Sequence, residues 1–158
     1  DHGFTPVQLA GDTATLANDG ARMQLHLVKQ VTTYGFEEVV EETQPRVADQ
    51  VPAGKEVFQV VREGMVAASR PGGTSAASWL DFPYTVASKT GTPESLDNLT
   101  STYICYMPAE DPEIAIAVVI EDGGQGYTGA PVARKMADQY FFGGLGAEQV
   151  TAPGNLLP

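Results

Sequence analysis

The segment Val86-Ala87-Ser88-Lys89-Thr90-Gly91-Thr92 brings an apolar strand start, a lysine, two threonines and a glycine together within seven residues. The lysine supplies a fixed positive charge and the threonine hydroxyls supply hydrogen-bond donors, a combination that recognises a carboxylate. A glycine inside a strand lets another backbone lie close against it. The segment therefore predicts a binding edge for an acyl donor that carries a carboxylate.

The alternative interpretation of this segment is an ordinary strand end that runs into a polar turn. Pro93-Glu94-Ser95, directly after it, has the composition of a turn. Short motifs arise often by chance, so the segment taken alone favours this alternative. Other segments of the chain are needed to distinguish a binding edge from an ordinary strand end.

The composition predicts one ordinary globular domain. The chain has 158 residues, of which 42% are hydrophobic and 18% charged, and these are proportions of a folded protein. Its formal charge of -11, with nine lysines and arginines, argues against nucleic acid or an anionic membrane surface as a partner, since both require clustered cations. The acidity also serves solubility, so it identifies no partner by itself.

Targeting signals and metal-binding patterns are absent from the sequence. No stretch approaches the ~20 apolar residues that span a bilayer. The chain starts without a methionine or a signal pattern, so we expect it to be a piece of a longer protein. Cys105 is the only cysteine, and we expect a buried strand thiol because no histidine lies near it in sequence. His2 and His26 have no metal-ligand spacing and are expected at the surface, so no metal site is predicted.

End signals and periodicity predict the helices. Thr5-Pro6-Val7-Gln8 has the form of a capping box with proline in the first helical position. A second helix follows from an apolar ladder at helical spacing, made of Val57, Val60, Val61, Gly64, Met65 and Ala68. The predicted helices cover residues 6–17, 55–69, 131–142 and, as a short piece, 74–79.

Strand-length apolar segments predict an antiparallel meander of three strands, over residues 84–92, 101–107 and 113–121. Two valine-rich segments, 25–33 and 36–42, predict a small hairpin. The fold class is therefore α+β, an antiparallel sheet flanked by helices. The domain is expected to extend over residues 1–142, followed by a Gly/Pro-rich tail over 143–158.

A second motif, G-x-G-x-x-G over residues 124–129, follows a predicted strand and precedes a helix, as a dinucleotide-binding turn does. That fold needs another parallel strand after the helix, and only the Gly/Pro-rich tail remains. We therefore interpret the motif as a flexible turn, and no cofactor is predicted. Three aromatic residues, Trp79, Phe82 and Tyr84, either line an entrance to a cleft or pack in the core, and core packing is favoured for at least two of them.

The chain resembles the C-terminal half of the transpeptidase domain of penicillin-binding proteins, and the resemblance extends over residues 1–142. Five sets of motifs agree with the family pattern in order and approximate spacing. They are TPVQLA (5–10) with TLANDG (15–20), LHLVK (25–29), GMV (64–66) with GT (73–74), ASKTGT (87–92), and YMP (106–108) with GAP (129–131). Within the fourth set, Ser88 stands where the family has glycine, and Pro93 follows where the family has alanine.

The resemblance implies a serine β-lactamase and transpeptidase type of fold, incomplete in this chain, and a peptidoglycan D,D-transpeptidase that β-lactams acylate. Lys89 and Thr92 are the implied catalytic residues, Lys89 by its charge and Thr92 by its backbone N–H in an oxyanion hole. The implied substrate-binding residues are Thr90, Gly91 and Thr92. No cofactor is implied.

The nucleophile is expected outside this chain, because none of its serines is followed three places on by lysine. The resemblance therefore implies three partners: peptidoglycan stem peptides, β-lactam antibiotics, and an N-terminal part of the same protein that carries Ser-x-x-Lys. The implied location is the extracytoplasmic face of the bacterial membrane, and the chain alone should be inactive. A non-catalytic β-lactam sensor or a structural module of the same fold is the alternative.

Overall fold

A computed structural model describes residues 3–95 and 98–143. The predicted tail lies outside these residues except for Gly143, and His2 also lies outside them. In chain order the elements are α1 (Pro6–Ala17), β1 (Ala21–Met23), β2 (Gln30–Thr32), β3 (Val39–Glu42), β4 (Val47–Gln50), α2 (Lys55–Ser69), a 3-10 turn (Ala76–Ser78), β5 (Ala87–Gly91), β6 (Glu94–Ser95), β7 (Asn98–Leu99), β8 (Ser101–Met107), β9 (Ile114–Ile120), a second 3-10 turn (Gly126–Gly129) and α3 (Ala130–Phe142).

The central sheet is antiparallel and has the strand order β5-β8-β9, which confirms the predicted meander and the α+β class. Lys89 lies opposite Ile104, and Tyr103 lies opposite Val118. β5 is shorter than predicted, because residues 84–86 approach the sheet without pairing. Within the described residues, β5 and β9 each pair only with β8, so both strands have an open outer edge.

Helices cover both faces of the sheet. On one face, α1 and α2 pack over a cluster that includes Met65, Ala87 and Tyr106. On the other face, α3 and the segment around Trp79 pack over a larger cluster centred on Tyr103. Because neighbouring strand residues point to opposite faces, the seven residues of β8 supply side chains to both clusters.

The three long helices begin and end within one residue of their predicted limits. The capping box at the start of α1 is present: Gln8 N–H donates to Thr5 Oγ1, and Thr5 N–H donates to the Gln8 side chain. α3 ends at Gly143, whose φ of 61° is the left-handed conformation that glycine adopts readily. No described helix is long and apolar enough to cross a membrane.

The predicted buried face of α2 is partly wrong. The buried residues are Phe58, Met65 and Ser69, whereas Val57 and Val60 are exposed. The helix has two adjacent apolar stripes, and β5 and β8 lie against only one of them. The predicted buried face combined residues of both stripes, because helical spacing alone does not show which stripe packs against the sheet.

The predicted hairpin is real but shorter. β2 and β3 pair over residues 30–32 and 39–42, while residues 25–29 are not a strand. A second ribbon, β1 with β4, was not predicted. Every residue of β3 and β4 is exposed, so neither strand carries the alternating burial that makes a strand visible in a sequence.

The predicted short helix over 74–79 is reduced to the 3-10 turn Ala76–Ser78. Residues 70–75 fold back over the end of α2 instead, and we call this segment the hook. Ser75 N–H and Ser75 Oγ both donate to the carbonyl of Ala68. A side chain on Gly73 would lie 2.3 Å from that carbonyl oxygen, so the hook packs backbone against backbone.

Candidate active-site edge

Lys89 lies on the open edge strand with its side chain exposed. Its ammonium donates to the carbonyl of Thr90. An ammonium group has three N–H donors, so two remain for a ligand or for side chains that face the edge. Lys89 thus places a positive charge beside the unpaired side of β5.

Thr92 follows β5 directly and is half-buried. Its hydroxyl oxygen accepts a hydrogen bond from the backbone N–H of Gly126 at 3.0 Å. A threonine hydroxyl has one proton and two lone pairs, so this contact fixes the oxygen and leaves the proton to donate. The geometry suits donation to a carboxylate.

Thr90 is two residues from Thr92, which places the two hydroxyls on the same side of extended chain. Thr90 Oγ1 donates to Thr74 Oγ1 in the hook at 3.3 Å. Sequence reasoning matched Thr74 to a family motif but gave it no role at the site. The contact joins residues 16 positions apart, and no local pattern in the sequence announces it.

Gly91 and Gly126 lie against each other at the end of β5, and only one of the two positions requires glycine for packing. A Cβ on Gly126 would lie 2.4 Å from the carbonyl oxygen and 2.6 Å from the nitrogen of Gly91, so glycine is required for this approach. A Cβ on Gly91 would meet only Thr102, at ordinary distances of 3.6 and 3.7 Å. Nothing in the described residues therefore requires glycine at position 91.

The G-x-G-x-x-G motif serves packing. Gly126 lies against Gly91, and a Cβ on Gly129 would lie 2.7 Å from the Cβ of Tyr103. The buried Ser101 hydroxyl donates to the Gly126 carbonyl and accepts from the Gly129 N–H. These contacts hold the turn onto the sheet, and the flanking strand β9 is antiparallel to β8, unlike the parallel strands of a dinucleotide-binding fold.

Beneath the edge lies a group of buried hydroxyls that sequence reasoning missed. Ser88 Oγ lies 2.7 Å from Ser69 Oγ and 2.9 Å from Ser75 Oγ. All three serines are at most 6% exposed. The one sequence signal was the presence of serine at position 88, where the family pattern has glycine.

The aromatic residues divide as favoured from the sequence: Trp79 and Phe82 are buried, and Tyr84 is 40% exposed. Trp79 Nε1 donates to the Tyr103 hydroxyl at 2.8 Å. Burial raises the pKa of Tyr103, and its hydrogen bonds with Ser75, Ser88 and Trp79 oppose that rise. The Tyr103 hydroxyl therefore adjoins the buried serines.

Cys105 is fully buried on β8, as predicted, and burial raises the pKa of its thiol well above the usual value. Such a thiol is a poor nucleophile. His26 is exposed, as expected. No three histidine, cysteine, aspartate or glutamate residues in the described part of the chain group together as metal ligands.

Residues 3–141 match the penicillin binding protein transpeptidase domain. The chain is 33% identical to penicillin-binding protein 2A of Bacillus subtilis over 87% of its length, and 32% identical to the peptidoglycan D,D-transpeptidase PbpA of Mycolicibacterium smegmatis over 85%. The imipenem acyl-enzyme structure of penicillin-binding protein A from M. tuberculosis superposes with a TM-score of 0.76 at 27% identity, over 89% of this chain.

The chain spans less than a third of each of these relatives. It covers 22% of the B. subtilis protein, 28% of the M. smegmatis protein and 31% of the M. tuberculosis chain. The matched part is the C-terminal part of the domain. This agrees with a sheet in which β9, among the described residues, pairs only with β8.

Proposed function

The chain belongs to the penicillin-binding protein transpeptidase family, and we propose that the complete protein is a peptidoglycan D,D-transpeptidase in which this chain supplies the Lys-Thr-Gly edge of the active site. One observation carries the proposal: Lys89 and Thr90 are neighbours on β5, whose outer side has no strand partner in the described part of the chain, and Thr92 follows the strand directly. A carboxylate-bearing peptide fits such an edge, because it adds as a strand while its charge meets the lysine and the hydroxyls.

The reaction is acyl transfer through a serine of the upstream part. The serine oxygen attacks the penultimate D-alanine carbonyl of a stem peptide, the amide bond breaks, and the terminal D-alanine leaves with a proton on its nitrogen. The amine of a neighbouring stem then attacks the ester and releases the serine. The products are a new cross-link and the regenerated enzyme, and the chemistry needs no metal or cofactor.

Lys89 and the two threonines act on the terminal carboxylate of the donor peptide. The ammonium adds charge beside the carboxylate and beside the Ser-x-x-Lys pair, where protons move during the reaction. Thr92 donates its free proton while Gly126 holds its oxygen. Thr90 redirects the proton that it gives to Thr74 in the free protein.

Gly91 and the backbone of Thr92 contact the reacting part of the substrate. The absence of a side chain at Gly91 lets the substrate backbone lie flat on β5. The N–H of Thr92 provides one half of an oxyanion hole, and the N–H of the upstream serine provides the other. One such donor contributes about 2.7–4 kcal/mol of transition-state stabilisation.

β-Lactams react at the same serine, because their strained amide and their carboxylate occupy the places of the D-alanyl amide and the terminal carboxylate. The M. tuberculosis relative was determined as an imipenem acyl-enzyme, which supports this assignment. Peptidoglycan lies outside the cytoplasm, so the complete protein works at the extracytoplasmic face of the membrane. This chain alone, without the serine, is inactive.

The alternative is a β-lactam sensor or a structural module of the same fold, which needs the same edge to be acylated. A sensor is acylated by penicillin and does not turn over stem peptides. The complete protein should therefore form both a penicilloyl adduct and a cross-linked product from stem-peptide analogues.

The decisive variant is Lys89→Ala in the complete protein. Covalent labelling by a fluorescent penicillin should slow by at least about 100-fold, the scale seen when one transition-state contact is lost, while the melting temperature stays unchanged because the side chain is exposed. Lys135→Ala, an exposed lysine on α3, is the matched control and should label normally. Equal labelling of the Lys89 variant and the wild type would remove Lys89 from the site.

A further inference from the structure

The three buried serines join the active-site edge to the end of α2. Ser69 is the last residue of α2, Ser75 ends the hook, and Ser88 is the second residue of β5. The two contacts made by Ser88, at 2.7 and 2.9 Å, are strong hydrogen bonds between hydroxyls. Each serine thus belongs to a different piece of backbone.

Counting protons gives this group a direction. Each hydroxyl has one proton. Ser75 donates its proton to the carbonyl of Ala68 at 3.0 Å, so it accepts from Ser88. Ser88 has then used its proton, so it accepts from Ser69. The result is a directed chain from Ser69 through Ser88 and Ser75 to the Ala68 carbonyl, which we call the serine clamp.

Two residues of the clamp are sequence neighbours of residues at the active-site edge. Lys89 directly follows Ser88 in β5, so fixing Ser88 fixes the backbone that carries the lysine. Thr74 directly precedes Ser75 and accepts the hydrogen bond of Thr90, so fixing the hook also fixes the partner of the substrate-binding threonine. The clamp itself is buried and touches no substrate.

We propose that Ser88 is a positioning residue, whose hydroxyl locks β5 to the end of α2 and so holds Lys89 and Thr90 in the geometry that acylation requires. The inference rests on the proposed function. A residue without a side-chain hydroxyl at this position would make no such bond. Displacements of about 1 Å cost on the order of 100-fold in rate at such sites, which gives a buried lock a measurable effect.

The test compares acylation rate with stability in the complete protein, using a fluorescent penicillin and thermal melting. Ser88→Ala should lower both, because it frees β5 and leaves the buried proton of Ser69 without its acceptor. The acylation rate constant should fall about tenfold, part of the loss that misplacement produces. Thr13→Val, which removes a buried hydroxyl of α1, should lower the melting temperature and leave the rate unchanged.

A triple variant, Ser69→Ala with Ser75→Ala and Ser88→Ala, separates positioning from stability. Each remaining polar group keeps a partner, since the Ala68 carbonyl keeps the backbone N–H of residue 75 and the Tyr103 hydroxyl keeps the Trp79 N–H, so the melting temperature should recover towards the wild-type value. The rate should stay low, because the lock is still absent. This variant decides the matter even if Ser88→Ala does not fold.

Two results overturn the inference: wild-type acylation by Ser88→Ala, or recovery of the rate together with the melting temperature in the triple variant. The proposed function fails in a different way. It is contradicted if the wild-type protein is not acylated by penicillin, or if Lys89→Ala is acylated at the wild-type rate. Either result would also contradict the positioning role of Ser88.

Discussion

At the scale of single residues, the two glycines at the end of β5 separate function from packing. Gly91 has room for a side chain and Gly126 has none. If Gly91 is kept bare for a substrate, a methyl group there should harm binding and not folding. If Gly126 is kept bare for the backbone of Gly91, a methyl group there should harm folding.

We therefore expect Gly91→Ala to leave the complete protein as stable as the wild type, or more stable by about 0.5–1 kcal/mol, while penicillin acylation falls at least tenfold because the methyl group blocks the ligand backbone. Gly126→Ala should cost about 1–3 kcal/mol. Urea unfolding and penicillin labelling measure the two quantities. Normal labelling of Gly91→Ala would mean that no ligand lies on this part of β5.

The position of Lys89 to Gly91 on a strand was predictable from sequence because the residues are consecutive, while their role at a site stays a proposal. Lys89 to Thr92 form a continuous motif, and an extended strand displays consecutive residues side by side. Thr74 and the serine clamp were not predictable, because their contacts join residues 13 to 19 positions apart. Serine and threonine are ordinary surface residues, so nothing in the sequence marks these as buried partners.

At the scale of elements, caps and length were more predictable than burial. The capping box fixed the start of α1, and a glycine in the left-handed conformation closed α3. The buried face of α2 was not predictable, because the choice between Phe58 and Val57 depends on the strand it meets. The ribbons β1–β4 and β2–β3 were only partly predicted, since strands without a buried face lack a period of two.

Arg134 on α3 fastens that helix to the segment before β5. It donates to the Ser78 carbonyl and pairs with Asp81 and Asp138 at 2.6 and 2.8 Å, and it lies 4.9 Å from the centre of the Phe82 ring. The side chain is 20% exposed, so the contacts are partly shielded from water. Several contacts shared by one partly buried arginine should stabilise more than a surface pair does.

Arg134→Met should lower the free energy of unfolding of the complete protein by about 1.5–3 kcal/mol, the range for hydrogen bonds to charged groups. Arg22→Met, which breaks the exposed 3.8 Å pair with Asp49, should change it by less than about 0.5 kcal/mol. Urea unfolding of both variants checks the contrast. Equal effects would show that Arg134 is no more than a surface charge.

The same arginine gives a pH dependence of known sign. Arg134 holds the pKa of Asp81 below its usual value of 3.8. A carboxyl with a lowered folded pKa stabilises the protein above its unfolded pKa and loses that contribution as the pH falls through the folded pKa. The stability gap between wild type and Arg134→Met should therefore be constant near neutral pH and narrow only in acid below about pH 4.

At the scale of the whole molecule, the chain presents surface that a complete domain would cover. Val57 and Val60 on α2 are 49% and 68% exposed, and Leu27 is 95% exposed. Within the described residues β9 pairs only with β8, and such an open strand edge pairs readily with other chains. Composition predicted an ordinary globular domain. It could not predict the open edge of β9 in the described part of the chain, because the apolar content says how many residues are apolar and not which surfaces they meet.

Expressed alone, residues 1–158 should therefore aggregate or melt without a sharp transition. Co-expression with the upstream part of the protein should give a soluble complex that melts cooperatively and labels with penicillin. Calorimetry and penicillin labelling measure the two properties. A sharp, reversible two-state melt of the isolated chain would contradict the view that it is one part of a larger fold.

The most direct test is the structure of the complete protein acylated by a β-lactam. In that structure, β5 should form one wall of a cleft whose nucleophile comes from the upstream part. We expect the acyl-serine to face β5, with the drug carboxylate within hydrogen-bonding distance of the Thr90 and Thr92 hydroxyls and the Lys89 ammonium between the drug and the Ser-x-x-Lys pair. An acyl group bound elsewhere, with Lys89 pointing into solvent, would contradict the claim.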